Sequence, residues 1–494
     1  MTSAVPHHRV VIVGAGFSGI VMGVRLRRAG IEDFIILEKA DDVGGTWRDN
    51  RYPGCACDVP SRLYSLADAP HPGWSREFAG WAEIWDYLRA CVRRFGLTDR
   101  VRTGADVTSA VWEGGRWRVE AADGREWTAG ALVLGVGGLH VPSRPAIPGL
   151  ADFAGPVLHT AQWPADDSAL DGARVAVVGT GASAVQAIPA LAPRTDRLTV
   201  LQRSASWIMP RHDHAWSPAR QRLYARIPWT QKATRWLRWG RQEVQLLGFA
   251  RVPGVRPRLE RMALDRLARH VPDPQTRAKL TPDYEIGCKR ILLSDDYWRT
   301  FARDDVELVT DPIARIEPHA VVTRDATGAE AAYPVDALVL ATGFDLLGSY
   351  ARMHVAGLGG RTLAQEWAGE RGTHLGITVA GFPELYLLLG PNTALGHSSV
   401  LLQIESAASY IVQALARADR LGPQVVTRRA QQRFGRWVQG RTRGTAWGSG
   451  CRSWYLDEKG RNVAIWPAST ARYRLVTRRV RAADYESVGP RRPD

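Results

Sequence analysis

Two copies of one short pattern constrain this chain more than any other feature. Gly14-Ala15-Gly16-Phe17-Ser18-Gly19 is a G-x-G-x-x-G string that follows the mostly apolar run 9–13 and opens a predicted helix over 20–29. Gly179-Thr180-Gly181-Ala182-Ser183-Ala184 is a G-x-G-x-x-A string that follows the run 174–178 in the same way. A strand that turns at glycine straight into a helix leaves the helix's first N–H groups free. Those groups and the positive end of the helix dipole suit a pyrophosphate. Gly14 serves the tight turn, Gly16 lets the backbone approach the phosphates, and Gly19 lets helix pack on strand. The next strand of each unit ends on a charge. Gly14 to Glu38 and Gly179 to Arg203 both span 24 positions, so the two units place opposite charges at one equivalent point. A carboxylate accepts hydrogen bonds from a free ribose diol, whereas an arginine suits a 2′-phosphate. The expected fold is therefore α/β, with two Rossmann-like dinucleotide-binding domains, FAD on the first and NADPH on the second.

Bulk properties narrow the remaining classes. With 494 residues the chain can bury two or three full cores. It has no apolar run of about 18 residues, so no membrane span is expected. The N-terminus enters a strand almost at once and shows no signal-peptide pattern. Five cysteines, at 55, 57, 91, 288 and 451, are odd in number and mostly scattered. This argues against a disulfide framework and for a reducing, cytoplasmic setting. The formal charge of +15 is mostly arginine spread along the chain, thickening at 220–269 and 472–492. No nucleic-acid motif accompanies it, so a solvated basic surface is expected rather than a nucleic-acid partner.

Between the two glycine strings lies Phe153-Ala-Gly155-Pro-Val-Leu-His159-Thr-Ala-Gln-Trp163-Pro164, the template F-x-G-x-x-x-H-x-x-x-W-P, preceded by the three-proline stretch 142–149. A second template, G-G-x-W-x-x-x-x-Y-P-G-x-x-x-D, is filled by Gly44, Gly45, Trp47, Tyr52, Pro53, Gly54 and Asp58. Together they resemble the fingerprints of the Baeyer–Villiger monooxygenases, flavoenzymes that insert one oxygen atom beside a ketone carbonyl. Related flavin monooxygenases that oxidise nitrogen or sulfur usually lack the Trp-Pro ending. The resemblance runs from about residue 10 to 467. It implies that NADPH reduces the flavin, that O2 is the oxidant, and that a small-molecule ketone becomes an ester or lactone.

The resemblance also implies roles for residues. Ser18, Thr46, Trp47, Asp49, Asp58, Tyr64, Val107 and Val400 join Gly14, Gly16, Gly19 and Glu38 at the FAD site. Gly179, Thr180, Gly181, Ala182, Ser183, Ala184, Arg203, Ser204, Lys289 and Trp454 fall to NADPH. Trp454 sits on a loop, near 446–466, that is mobile in relatives and closes over the nucleotide. Arg290 is the catalytic arginine, a fixed cation for negative charge developing on oxygen, and Asp58 orients it. No metal is implied. His159 reads as a hinge or packing residue. Cys55-Ala56-Cys57 is spaced more tightly than the redox pair of flavin disulfide reductases.

The corresponding organisation is an FAD domain over 1–143 and 319–494, a linker at 144–165 and an NADPH domain at 166–318. That domain carries an Arg- and Trp-rich helical lobe, about 206–284, expected to pack on the nucleotide domain rather than lie on a membrane. The phrase ALVLATGFD at 337–345 echoes ALVLGVGG at 131–138, so the chain holds two related nucleotide-binding halves. A helix is expected over 74–95 and another from about Ser398, and the tail after Ala482 reads as disordered. The readings that compete are an N- or S-oxygenating flavin enzyme and a non-enzymatic basic membrane- or nucleic-acid-binding protein on the same fold.

Overall fold

The computed structural model describes residues 5–249, 252, 254–345, 348–369, 371–450 and 453–488. Its first strand, β1 (His7–Val13), runs into helix α1 (Phe17–Arg28), and β2 (Phe34–Leu37) returns parallel beside β1. Residues 10–13 and 34–37 are buried on both faces, as expected for parallel strands sandwiched between layers. After the short helices α2 (Thr46–Asp49) and α3 (Trp81–Arg94) come β3 (Val101–Arg102), β4 (Val107–Glu113), β5 (Arg116–Ala121) and β6 (Glu126–Leu134). β6 lies parallel on the other side of β1. The stretch expected as helix from residue 74 becomes helical only at Trp81. The residues before it instead bridge Arg76 to Ala215 and Gly80 to Ala56, which gives their backbone groups other partners.

The second unit repeats the first. Its strands are β7 (Val157–His159), β8 (Arg174–Val178) and β9 (Arg197–Leu201), with helix α4 (Ala182–Leu191) between the last two. Later come β10 (Ile208–Met209), β11 (Leu292–Leu293), β12 (Val306–Val309), an antiparallel triplet β13 (Ile313–Glu317), β14 (Ala320–Arg324) and β15 (Glu330–Pro334), and then β16 (Ala337–Leu340). The second sheet is wholly parallel in the order β12-β9-β8-β16-β7. This corrects two boundaries. β7 lies inside the stretch read as a linker, and β16 lies inside the stretch read as returning to the first domain, yet both belong to the second sheet. The echo between 131–138 and 337–345 has its physical meaning here: β6 flanks β1 as β16 flanks β8. The chain rejoins the first sheet with β17 (His354–Ala356) on β4 and β18 (Leu385–Leu387) on β6. The helix Val400–Leu421, capped by Ser399, then packs against α1.

The tail is ordered further than expected. β19 (Gln424–Val426) pairs antiparallel with β20 (Tyr485–Ser487), and the buried Tyr485 hydroxyl lies 2.9 Å from that of Tyr410. Pairing and a buried aromatic outweigh local polarity. The tail beyond 488 and Cys451 lie outside the described residues.

The lobe consists of α5 (Pro218–Arg226), α6 (Pro228–Phe249), α7 (Val255–His270) and α8 (Pro274–Lys279). One side of it packs on protein. The buried Arg62 guanidinium of the first unit lies 3.8 Å from the Tyr224 ring and 4.6 Å from the Trp216 ring. Among the described residues no helix is long and apolar enough to cross a membrane.

Candidate active site

Both glycine turns are built alike. Gly14 has φ +99°, and a Cβ there would lie 2.7 Å from the Gly135 carbonyl oxygen. Gly179 has φ +111°, and a Cβ would lie 2.6 Å from that of Ala341. Only glycine combines this conformation with so close a neighbouring strand end. Gly19 serves packing, because a Cβ there would sit 1.9 Å from the Gly14 carbonyl oxygen. Ala184 is buried in the core beneath the second turn.

The two turns open on one continuous cavity of about 1560 Å3. Its wall includes Gly14, Gly16, Ser18, Glu38, Thr46, Trp47, Tyr64, Val107 and Val400 from the first domain, and Gly179, Thr180, Gly181, Ala182, Ser183, Arg203, Ser204, Lys289 and Trp454. Asp58 and Arg290 also line it. Gly19, Asp49 and Ala184 do not; they support the wall from behind.

Each charged group has a local reason for its position. Glu38 is buried at the end of β2. Its Oε2 accepts from the Ala15 N–H at 2.7 Å, and its Oε1 accepts from Arg48 Nη1 at 3.1 Å. Arg48 also donates from Nε to Asp49 at 2.8 Å, and Asp49 meets His140 at 2.8 Å. This relay was not anticipated from sequence. Its only signal is an arginine inside a motif position that any residue can fill. Trp47 donates from its indole N–H to the Tyr64 hydroxyl at 3.1 Å, and the two rings meet edge to face. Burial keeps the Tyr64 hydroxyl protonated by pushing its pKa up.

In the second unit Thr180 donates to the Ser204 carbonyl at 3.0 Å, and Lys289 Nζ donates to the Ser204 hydroxyl at 3.2 Å. Burial lowers the Lys289 pKa, Asp283 opposes that shift, and Arg203 adds to it. Like-charge repulsion between Arg203 and Lys289 means that two cations converge on one region, which suits an anion. This donor set fits a 2′-phosphate. The glycine-lined turn with the buried Glu38 fits an adenine dinucleotide carrying a free ribose diol.

Arg290 and Asp58 meet across 232 positions of sequence, Nε at 2.9 Å and Nη2 at 2.5 Å from one carboxylate oxygen. Arg290 Nη1 donates to the Leu395 carbonyl at 3.3 Å. The field of Asp58 is the first cause raising the Arg290 pKa, against the cost of burial, so the guanidinium stays charged. The buried Tyr455, whose hydroxyl burial keeps protonated, lies beside this pair. It follows Trp454 in the chain, and sequence reading missed it.

The template Tyr52-Pro53-Gly54 joins the two domains. Tyr52 donates to the Gln186 side chain at 2.9 Å, and a Cβ on Gly54 would lie 2.4 Å from the Gln186 carbonyl oxygen on α4. Gln186 itself carries no sequence signal. His159 is buried, with its pKa lowered by that burial. Its Nδ1 accepts from the Ala161 N–H at 3.0 Å, and its Nε2 is 3.3 Å from the Thr342 hydroxyl. It thus packs the end of β7, as its isolated position in the template suggested. Phe153 and Trp163 are buried in the second domain's core. Cys55 and Cys57 are free and buried, and burial pushes the Cys55 thiol up to about 12 and raises that of Cys57 as well. Both stay protonated and unreactive. Among the described residues no group of three or more His, Cys, Asp or Glu side chains could hold a metal ion.

Residues 11–222 match a family described as pyridine nucleotide-disulphide oxidoreductase. Over 490 residues the chain is 44% identical to a Baeyer-Villiger monooxygenase of Streptomyces coelicolor, covering 98% of this chain and 93% of that protein. A Baeyer-Villiger monooxygenase of Pseudomonas aeruginosa is 40% identical, covering 98% and 92%. Among solved structures, an oxidised steroid monooxygenase bound to NADP superposes with a TM-score of 0.85 at 31% identity, covering 96% of this chain and 97% of the other. Cyclohexanone monooxygenase from Rhodococcus sp. Phi1 bound to NADP+ superposes with 0.86 at 27%, covering 98% and 100%.

Proposed function

The chain belongs to the Baeyer–Villiger monooxygenases, and from that membership we propose how its residues divide the work. It is an NADPH-dependent flavin monooxygenase that inserts one atom of O2 next to a ketone carbonyl, giving an ester or lactone. When bound, FAD and NADPH supply the electron transfer and oxygen activation, while the protein supplies position and charge. The Gly14 turn and the start of α1 hold the FAD pyrophosphate, Glu38 takes the ribose hydroxyls, Val107 lines the cavity on the Glu38 side, and Trp47, Tyr64 and Val400 wall the ring system. Asp49 acts indirectly, by fixing Arg48 beside Glu38. The Gly179 turn holds the second pyrophosphate, Arg203, Ser204 and Lys289 take the 2′-phosphate, and Trp454 closes over the nicotinamide nucleotide.

Arg290 holds a permanent positive charge where negative charge develops on oxygen, and Asp58 fixes its orientation. A guanidinium has five N–H donors, and three are already engaged by Asp58 and Leu395. One N–H remains on each terminal nitrogen, a forked pair suited to an oxyanion. Arg290 transfers no proton, because Asp58 raises a pKa that is already far above neutrality. The observation that carries this reading is the Arg290–Asp58 pair in the wall of a cavity shared by both nucleotide turns.

A ketone panel tests it. Purified holoenzyme with NADPH and O2 should convert at least one ketone to a product heavier by one oxygen, with matching NADPH loss. Conversion of amines or sulfides alone, with every ketone untouched, would place the chain's chemistry with the N- or S-oxygenating enzymes instead.

A further inference from the structure

We propose that the outward face of α6 docks on an anionic membrane surface. The helix has two faces with opposite fates. Its inner face is anchored to the body of the protein. Gln231 donates to the His71 carbonyl at 2.8 Å, Arg238 pairs with Glu77 at 2.9 Å, Trp239 donates to Thr470 at 2.9 Å, and Phe249 is buried on Trp447. Trp229, Trp236, Leu237, Val244 and Leu247 fall on the opposite side of a 3.6-residue turn. They face solvent: Trp229 is 68%, Trp236 59% and Leu237 73% exposed. The apolar stripe runs nearly the whole length of the helix, and contiguous apolar surface of this kind marks an interaction site.

The charges around the stripe select the occupant. Arg220, Arg222, Arg226, Lys232 and Arg241 are exposed on α5 and α6, and the single acid of the two helices, Glu243, is turned inward onto Thr470. A second copy of this chain would meet the face with the same cations across a twofold axis, and like charges would oppose each other. An anionic bilayer neutralises them, each cation near the surface strengthening partition by roughly fivefold. Two tryptophans on an apolar stripe with flanking cations are the composition of a helix lying in the headgroup region. Among the described residues no helix is long and apolar enough to cross a membrane, so the contact lies at the bilayer surface.

The test is flotation of the full-chain holoenzyme with vesicles. Wild type should float with an equal mixture of phosphatidylcholine and phosphatidylglycerol, stay behind with phosphatidylcholine alone, and be released by salt. Trp236→Ser with Leu237→Ser should lower partition by about tenfold or more, as expected when apolar anchoring is lost. Flavin content, melting temperature and NADPH oxidation should stay at wild-type levels. Lys232→Glu with Arg241→Glu, which leaves the apolar stripe intact, should abolish the preference for phosphatidylglycerol. Absence of wild-type flotation overturns the proposal, as does flotation that neither variant reduces. A wild-type dimer in solution that Trp236→Ser with Leu237→Ser converts to monomer also overturns it, and assigns the face to a second copy.

Discussion

Replacing Arg290 by alanine separates the two halves of the catalytic cycle. Three of the arginine's five donors hold it to Asp58 and Leu395, and the other two are available to substrate oxygen. Losing one preorganised donor to a developing oxyanion costs about 2.7–4 kcal/mol, on the order of 100- to 1,000-fold in rate. The carboxylate left behind is partly open to solvent, with a side-chain exposure of 28%, so water can replace the lost partner and the fold should survive. Arg290→Ala should therefore bind FAD and still bleach under anaerobic NADPH, perturbed less than oxygenation. In air, product per NADPH consumed should collapse, and the oxygen should be recovered as hydrogen peroxide. Arg290→Lys should recover little, because one ammonium cannot reach Asp58 and the Leu395 carbonyl and still present a planar fork. The assay pairs stopped-flow reduction with product mass and peroxide titration. If Arg290→Ala forms ester or lactone at a near-normal rate, the oxyanion role is wrong, and Lys289 becomes the next residue to examine.

Three further outcomes are expected. Arg203→Ala should raise the Michaelis constant for NADPH by roughly 10- to 100-fold, the worth of one charged hydrogen bond, and leave that for NADH nearly unchanged; equal effects on both would remove Arg203 from the 2′-phosphate site. Cys55→Ser with Cys57→Ser should still oxygenate, because both thiols are buried and protonated; loss of turnover with FAD retained would revive a redox pair. Glu384 is buried, and burial raises its carboxyl from 4.5 to about 7, which at ~1.4 kcal/mol per unit amounts to about 3 kcal/mol. The folded pKa lies above the unfolded one, so this stability is fully present below pH 4.5 and is lost as pH rises through 7. Glu384→Gln, which keeps an acceptor for the Gln424 N–H, should match wild type in melting temperature in acid and exceed it above pH 7; a constant offset at all pH values would refute the raised carboxyl.

What could be read directly from the residues was what local backbone geometry demands. The two glycine turns and the charges at 38 and 203 follow from what a strand–turn–helix unit needs, and that unit is written in contiguous positions; the aromatic wall at 47 was legible only through the family resemblance. The pairing of β7 and β16 in one sheet was not legible. The strands lie far apart in sequence, and either would read as an apolar run in whichever sheet it joined. The Arg48 relay and the Gln186 contact were hidden for a related reason, since a side chain that spans two elements leaves no spacing to find. The lobe shows the division most plainly. Its sequence announced amphipathic helices, which have two faces by construction. Only the packing of α6 onto residues from 71 to 470 decided which face was covered and which, with Trp236 and Leu237, was left toward solvent. A helix's period determines where its apolar residues lie relative to one another, and only tertiary contacts determine what lies against them.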